Sequence, residues 1–275
     1  MKSLIELIIV ISLRSSIIKK IIDLIISHVM SRNIVKVIHS GIELKFHNPN
    51  AMINSRIETF STKEPETLEW IDTFDRNSTF WDVGANVGLY SIYACKRCGC
   101  RVIAFEPSVF NLELLSRNIF TNKLTRNITV FPIPLSDSVK LSNMIHSMTD
   151  WGGSQSTFDK DYRYDGKTMD VDFEYPTLGV DGDFAVSNLG LPQPDYIKID
   201  VDGIEHVVLT GMTKILTKSR SILVEINDDF VFQREASEKL LLNLGFKLKE
   251  KRHSEMFDNT IMSNVYNQIW VNEKL

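Results

Sequence analysis

Blocks of apolar and polar residues alternate along most of the chain after Thr79, and they predict strands followed by helices. The first blocks predict strand 79–83, helix 88–97, strand 101–105, helix 108–121 and strand 128–134. The later blocks predict strand 195–200, helix 203–217, strand 221–226, helix 230–243 and two closing strands, near Phe246 and at 268–271. Such alternation is typical of parallel strands joined by crossover helices. The pattern therefore predicts a doubly wound α/β fold.

One long segment does not follow this alternation. Between about residues 138 and 190, after the third strand, Gly, Asp, Ser and Tyr accumulate, and we interpret this segment as an insertion. Trp151, Tyr162 and Tyr164 within it would suit stacking on a sugar. The same residues suit an ordinary solvated loop equally well.

The residues before the alternating blocks predict a helix and a hairpin. Val35 to Phe46 alternate between apolar and polar as the strands of a hairpin do. Ser61 to Glu64 has the pattern of a capping box, and Pro65 fits the first turn of the helix that follows. We therefore expect an extension over residues 1–60 and one domain over residues 61–275.

The first thirty residues contain two apolar stretches. Leu4 to Leu13 is interrupted by Glu6 and followed by Arg14, lacks a small-residue cleavage site, and is shorter than the ~18 residues of a membrane span. We expect neither a signal peptide nor a span there. Ile17 to Val29 predicts an amphipathic helix. Its simplest interpretation is packing on its own domain; the alternatives are peripheral contact with a membrane and a homodimer interface.

Composition narrows the classes of protein to which this chain can belong. The 275 residues are 43% hydrophobic and 24% charged, with a formal net charge of -4, as in ordinary globular proteins. Because no basic surface is available to attract phosphate, nucleic acid is not an expected partner. Cys95, Cys98 and Cys100 crowd together instead of spreading as a disulfide framework would, which fits the reducing cytoplasm. A zinc site takes four ligands and no His lies nearby, so we predict thiols and no metal.

The most informative segment is a strand that runs directly into the turn Asp82-x-Gly84-x-Asn86-x-Gly88 and then into a helix. Glycines there let the backbone turn tightly and let a ligand approach main-chain atoms. The turn lacks the G-x-G-x-x-G spacing of a dinucleotide site. An acidic residue at the strand end suits a cationic or hydroxyl-rich ligand better than a pyrophosphate.

The second strand ends with an acidic residue as well. Glu106 comes 18 residues after Gly88 and is followed by Pro107 and Ser108. At that position a carboxylate can accept hydrogen bonds from both ribose hydroxyls of a nucleoside. The alternative is that Asp82 and Glu106 are unrelated carboxylates that cap helices.

Several segments together resemble the FkbM-type methyltransferases over roughly residues 79–227. They are WDVGANVGLYS, AFEPS, Leu135-Ser136-Asp137, Trp151-Gly152-Gly153-Ser154 and DYIKIDVDGIEHVVLTG. The resemblance implies a seven-stranded, Rossmann-like methyltransferase that moves a methyl group from S-adenosylmethionine to an oxygen, often a hydroxyl of a sugar, glycan or other natural product. The family usually has Glu where Asp202 stands, which makes the role of that residue less certain.

The resemblance also implies roles for individual residues. Asp82, Gly84, Asn86 and Gly88 would line the methionine part of the cofactor. Glu106, with Pro107 and Ser108 beside it, would hold the ribose, and Ser136 with Asp137 would lie by the adenine.

Methyl transfer also needs a group that takes up the proton of the acceptor. Asp200, at the tip of strand 195–200, is the first candidate, and Glu205 and His206 follow it closely. Asp202 or Glu205 can instead cap the helix that begins near Gly203. Glu225 is a further candidate because a carboxylate inside an apolar strand needs a partner or a purpose.

Two other classes of protein remain open. Asp200-x-Asp202 matches the short D-x-D pattern with which metal-dependent glycosyltransferases bind a divalent cation. A non-catalytic relative that still binds the cofactor is the second alternative. We predict a methyltransferase that acts on a small-molecule or glycan acceptor.

Overall fold

The computed structural model describes residues 16–275. The chain starts with helix α1 (Ser16–Arg32), the hairpin β1 (Ile34–His39) and β2 (Ile42–His47), and helices α2 (Ala51–Glu58) and α3 (Pro65–Asp72). The next elements are β3 (Thr79–Val83), α4 (Leu89–Cys98), β4 (Arg101–Phe105), α5 (Val109–Thr121) and β5 (Ile128–Phe131). These last five alternate as the sequence predicts.

The second half contains short strands and then the rest of the alternation. The short strands are β6 (Leu135–Ser136), β7 (Lys140–His146), β8 (Ser156–Phe158) and β9 (Phe173–Asp181). They are followed by α6 (Gly182–Ser187), β10 (Tyr196–Ile199), α7 (Glu205–Thr210), α8 (Thr213–Leu216), β11 (Ser221–Asn227), α9 (Val231–Leu244), β12 (Phe246–Arg252) and β13 (Val265–Asn272).

The main sheet has seven strands in the order β12-β13-β11-β10-β3-β4-β5. The strands from β11 to β5 are parallel, whereas β13 is antiparallel to both of its neighbours. Val83 at the end of β3 pairs with Phe105 on one side and Ile199 on the other. Three strands therefore end at the same edge of the sheet, where ligands bind in α/β folds. The doubly wound, Rossmann-like fold is confirmed.

Two hydrophobic clusters cover the two faces of this sheet. One includes Phe46, Trp70 and Leu115, from the hairpin, α3 and α5. The other includes Leu209 and Leu241, from α7 and α9. The hairpin is fastened to α5 by hydrogen bonds, with the His47 N–H donating to Asn118 Oδ1 over 2.8 Å.

The segment between 138 and 190 contributes three of the four strands of a second sheet, β7, β8 and β9, so it is more regular than its sequence indicated. Four strands pair in the order β6-β9-β7-β8, and β9 is antiparallel to β7 over seven residue pairs. Apolar side chains such as Met144 and Phe158 pack inward against Ile204. The alternation in these strands is short and is interrupted by Gly, Asp and Pro residues, which hid it in the sequence.

Three local expectations were wrong. The strand predicted to reach 134 ends at Phe131. The helix predicted at 203–217 is the pair α7 and α8, separated near Gly211, where a Cβ would lie 2.0 Å from the Ser136 carbonyl oxygen. The predicted capping box does not form: Glu64 is the N-cap of α3, and the Ser61 hydroxyl is hydrogen-bonded to His39.

Helix α1 leaves its apolar side chains exposed. Ile17 and Leu24 are each 70% exposed, and Ile21 and Ile25 are more than half exposed. Packing on its own domain is therefore wrong for this helix as far as the described residues go. None of the helices in residues 16–275 has the length and apolarity needed to cross a membrane. The apolar run from Leu4 to Leu13 lies outside the described residues.

Candidate active site

The turn between β3 and α4 takes a backbone path that only certain residues tolerate. Gly84, Asn86 and Gly88 all have positive φ, at 85°, 51° and 84°. A Cβ on Gly84 would lie 1.8 Å from the backbone oxygen of Asp200. The turn thus passes directly against the end of β10, which requires glycine at this position.

Glu106 connects this turn to the start of α5. Its Oε2 accepts the Asn86 N–H over 2.7 Å, and its Oε1 accepts the Ser108 N–H over 2.8 Å. Burial raises the pKa of Glu106 to about 8, although these two N–H donors favour the charged form. Each oxygen still has a second lone pair, so the carboxylate can accept hydroxyl donors from a ligand.

Two polar atoms next to the turn lack hydrogen-bond partners among residues 16–275. Asp82 is fully buried on β3; Ser91 donates to its Oδ2 over 2.6 Å, but Oδ1 has no partner. Asn86 donates to the Gly153 carbonyl over 2.9 Å, and its Oδ1 also has no partner. Buried acceptors of this kind are costly unless another molecule satisfies them.

A cavity opens over the ends of β3, β4 and β10. Its walls come from the turn, the second sheet and the N-terminal extension. The residues that line it include Arg56, Lys63, Gly84, Asn86, Phe105, Glu106, Pro107, Pro134, Leu135, Met144, Ser154, Phe158, Asp200, Asp202 and Glu225.

One part of this cavity is apolar. Phe105, Pro134 and Leu135 lie in the lining with Glu106, a combination that suits a nucleoside base next to its ribose. Ser136 and Asp137, implied to lie by the adenine, are not in the lining. The Ser136 hydroxyl donates to Asp137, which pairs with Lys140 over 2.9 Å.

An ion pair borders the cavity at Asp200. Lys198, only 1% exposed, donates from Nζ to Asp200 Oδ2 over 2.6 Å. Burial alone would lower the pKa of Lys198, but Asp200, Glu64 and Asp82 outweigh it and raise the pKa above its ordinary value. Asp200 lines the cavity and is thus held next to a fixed positive charge.

Asp202 and Glu205 use their carboxylates to hold backbone. Asp202, at φ 58°, accepts the N–H groups of Gln155 and Ser156 over 2.7 and 3.2 Å. Glu205 is fully buried, accepts the Val201 and Gly203 N–H groups, and is bonded by Gln233. Burial raises the pKa of Asp202 to about 6 and that of Glu205 to about 7.

The remaining acid–base candidates differ in position. His206 does not line the cavity: it is 8% exposed and packs edge-on against Phe230 and Phe232. Glu225 does line it, and within residues 16–275 its carboxyl group has no hydrogen-bond or ion-pair partner. Burial, and then the nearby Asp200 and Glu64, raise the pKa of Glu225 well above its ordinary value.

The comparisons identify the group of proteins to which this arrangement belongs. The family model for the methyltransferase FkbM domain matches residues 82–253, well over half of the chain. The chain belongs to the FkbM methyltransferase family. It is therefore an S-adenosylmethionine-dependent methyltransferase. A search of curated proteins gives no match.

Solved structures share the fold of this FkbM-family chain. A methyltransferase FkbM from Methylobacillus flagellatus is 14% identical, with a TM-score of 0.52; the match covers 80% of this chain and 52% of that one, so the chain spans about half of that protein. A precorrin-6y C5,15-methyltransferase from Geobacter metallireducens is 15% identical, with a TM-score of 0.45. That match covers 75% of this chain and 85% of the other. TYW2 from M. jannaschii, solved with AdoMet, is 14% identical, with a TM-score of 0.44. That match covers 86% of this chain and 84% of the other.

The described residues fit the cofactor of this family. The Gly84 turn allows close approach, Glu106 can receive ribose hydroxyls, and Asn86 Oδ1 lacks a donor. The carboxylates of the lining suit a sulfonium cation. Residues 84, 86 and 106 come together in one cavity as the resemblance implies, whereas Asp82 and Gly88 support the turn from outside the lining.

Sequence reasoning missed part of the FkbM-family site. Arg56 and Lys63 line it from the segment before the main domain, and Met144 and Phe158 line it from the second sheet. Asn111 fastens the site, because its side chain bonds to both Gly152 and Gly153. Their sequence neighbourhoods contain no motif, and only the fold brings them to the cavity.

The three cysteines lie away from this cavity. All are buried and free, and burial raises the pKa of Cys95 to about 11 and that of Cys100 to about 12. Within residues 16–275, no group of three or more His, Cys, Asp or Glu side chains is arranged to hold a metal ion.

Proposed function

We propose that this chain methylates a hydroxyl oxygen of a sugar, glycan or other hydroxylated small molecule. The observation that supports it is the acidic part of the cavity, where Asp200, Asp202 and Glu225 line one wall. Carboxyl groups bind hydroxyl-rich molecules well, because they accept hydrogen bonds from hydroxyl groups. S-adenosylmethionine supplies an electrophilic methyl group when it is bound.

Asp200 is the proton acceptor in this proposal. Lys198 Nζ donates to Asp200 Oδ2 over 2.6 Å and fixes the orientation of the carboxyl group, whose other oxygen can take up the proton of the acceptor hydroxyl. Burial raises the pKa of Glu225 and favours its protonated form, which can donate a hydrogen bond, so Glu225 suits acceptor binding better than proton removal. Correct placement of the acceptor oxygen supplies most of the remaining rate.

The predicted alternatives for catalysis carry less support from the geometry. Glu205 and His206 lie outside the cavity lining, so we assign Glu205 to positioning of the loop that follows β10. Asp202 already accepts two backbone N–H groups, which leaves it poorly suited to grip a cation together with Asp200. The glycosyltransferase interpretation is therefore replaced by the methyltransferase assignment.

The test combines acceptor discovery with a conservative variant. Radiolabelled methyl transfer to a panel of sugars, glycans and hydroxylated small molecules should label an acceptor, and mass spectrometry should place the methyl group on oxygen. Asp200→Asn should lower kcat about 10²-fold or more and change the Kd of S-adenosylmethionine less than about threefold. Methylation on nitrogen or carbon would contradict the proposal, and so would full activity of Asp200→Asn.

We also propose that α1 lies against an anionic membrane surface in the cytoplasm. Ile17, Ile21 and Leu24 share an exposed apolar face, and Lys19 and Lys20 lie on the polar side. The protein should sediment with vesicles that contain anionic lipid, and Ile21→Ser with Leu24→Ser should abolish this. A stable dimer that does not bind vesicles would contradict the proposal.

A further inference from the structure

A second, smaller cavity adjoins the first on the other side of the Gly84 turn. It shares Arg56, Lys63, Gly84, Asn86 and Asp200 with the larger cavity. The shared lining makes the two cavities neighbouring parts of one site. A ligand that fills the larger cavity can extend one end into the smaller one.

The two cavities differ in the balance of cationic and carboxyl side chains that line them. The smaller cavity is lined by the cations Arg56, Lys63 and Lys198 and by only two carboxyl groups, those of Glu64 and Asp200. The larger cavity has only Arg56 and Lys63 as cations, against four carboxyl groups. The smaller cavity therefore favours an anionic group, and the acidic cavity favours a cationic one.

The available cations are Arg56 and Lys63. Lys198 is already bonded to Asp200 and is fully buried. Arg56 uses Nε to donate to the Gly152 carbonyl over 2.9 Å, and its two terminal nitrogens have no hydrogen-bond partner within residues 16–275. Lys63 pairs with Glu64 over 3.2 Å but is 35% exposed at its side chain. Both residues thus hold donors that a ligand can reach.

S-adenosylmethionine has one end that matches this arrangement. Its nucleoside suits the apolar lining next to Glu106, and its amino-acid end carries a carboxylate. A guanidinium and an ammonium are the side chains that bind carboxylates most strongly. We propose that Arg56 and Lys63, from the segment before the main domain, bind the α-carboxylate of S-adenosylmethionine. This rests on the use of S-adenosylmethionine stated above.

The experiment compares ligands that differ only in the carboxylate. Calorimetry measures the binding of S-adenosylmethionine and of decarboxylated S-adenosylmethionine to the wild type, Arg56→Gln and Lys63→Gln. Each variant should bind S-adenosylmethionine about tenfold to hundredfold more weakly, and should bind the decarboxylated ligand within about twofold of the wild type. Arg56→Lys should restore part of the affinity.

The controls separate the possible failures. Arg117→Gln changes an exposed arginine on α5 and should affect neither ligand. Equal losses for both ligands would show that Arg56 acts through its bond to Gly152, and would overturn the proposal. Unchanged S-adenosylmethionine binding with a raised KM for the methyl acceptor would assign both cations to the acceptor instead, and would also overturn it. A wild type that binds neither ligand would instead contradict cofactor use itself.

Discussion

The clearest prediction concerns the protonation of Glu106. Burial places the pKa of this carboxyl at about 8 in the ligand-free protein, while ribose hydroxyls donate to its charged form. The nucleoside therefore binds best to protein in which Glu106 is deprotonated, and that fraction falls as the pH drops below 8. Each pH unit below 8 should weaken nucleoside binding by up to about tenfold, so the loss from pH 8 to pH 6 reaches at most about 100-fold.

The assay uses 5′-methylthioadenosine, which carries no charge and so reports on the nucleoside contact alone. Calorimetry from pH 6 to pH 9, in buffers of different ionisation enthalpy, should show affinity rising to a plateau above pH 8, with proton release below it. Glu106→Gln cannot ionise and should bind about 10- to 100-fold more weakly at pH 8.5, with little pH dependence.

Two outcomes would refute this reasoning. Wild-type affinity that is flat from pH 6 to pH 9 would mean that the ribose does not use the Glu106 carboxylate. A pH dependence that persists in Glu106→Gln would assign the titration to another group of the lining, such as Asp202 with its pKa of about 6. Glu113→Gln is the matched control, because Glu113 is an exposed carboxylate on α5, the helix that begins three residues after Glu106, and within residues 16–275 its one ion pair is with Arg117.

Three further predictions follow from other contacts. Gly84→Ala should prevent folding or abolish cofactor binding, because its Cβ would overlap the Asp200 backbone oxygen. Circular dichroism tests folding and calorimetry tests cofactor binding. A variant that folds and binds the cofactor normally would contradict the close approach of the two backbones. Asp202→Ala should lower the free energy of unfolding by about 1–3 kcal/mol and increase hydrogen exchange at Gln155 and Ser156, whose N–H groups it accepts. S-adenosylmethionine should bind equally well in chelator, and binding restored only by a divalent cation would contradict the proposed contacts.

The seven-stranded sheet could be predicted because its signals are local. Strands β3 and β4 are apolar runs that end in Asp82-x-Gly84 and Glu106, and each is followed by a helix. Parallel strands bring their ends to one edge, so the turn and Glu106 had to meet once the fold was right. The hydrogen bond of 2.7 Å from the Asn86 N–H to Glu106 is the contact between the turn and this carboxylate.

The rest of the site depends on contacts between residues far apart in sequence. Arg56 donates to the carbonyl of Gly152, which is 96 positions away in the sequence. The sequence around either residue does not indicate that the two are in contact. Capping a helix was one alternative for Asp202, yet its carboxylate binds the backbone N–H groups of residues 46 and 47 positions earlier. Such pairings arise from how the second sheet packs on the first, which a single sequence pattern does not specify.

The crowding of carboxyl groups in one cavity has a physical consequence for ligand choice. Glu106, Asp202 and Glu225 all have pKa values raised by burial, so without a cation nearby they resist ionisation. Asp200, the fourth carboxyl group of the lining, is paired directly with Lys198. A bound sulfonium would favour the charged forms of Glu106, Asp202 and Glu225, so binding a cation and releasing protons are coupled. A neutral thioether such as 5′-methylthioadenosine keeps only the part of this coupling that comes from the ribose contact with Glu106. The methylated cofactor should therefore gain more affinity than its demethylated product as the pH rises.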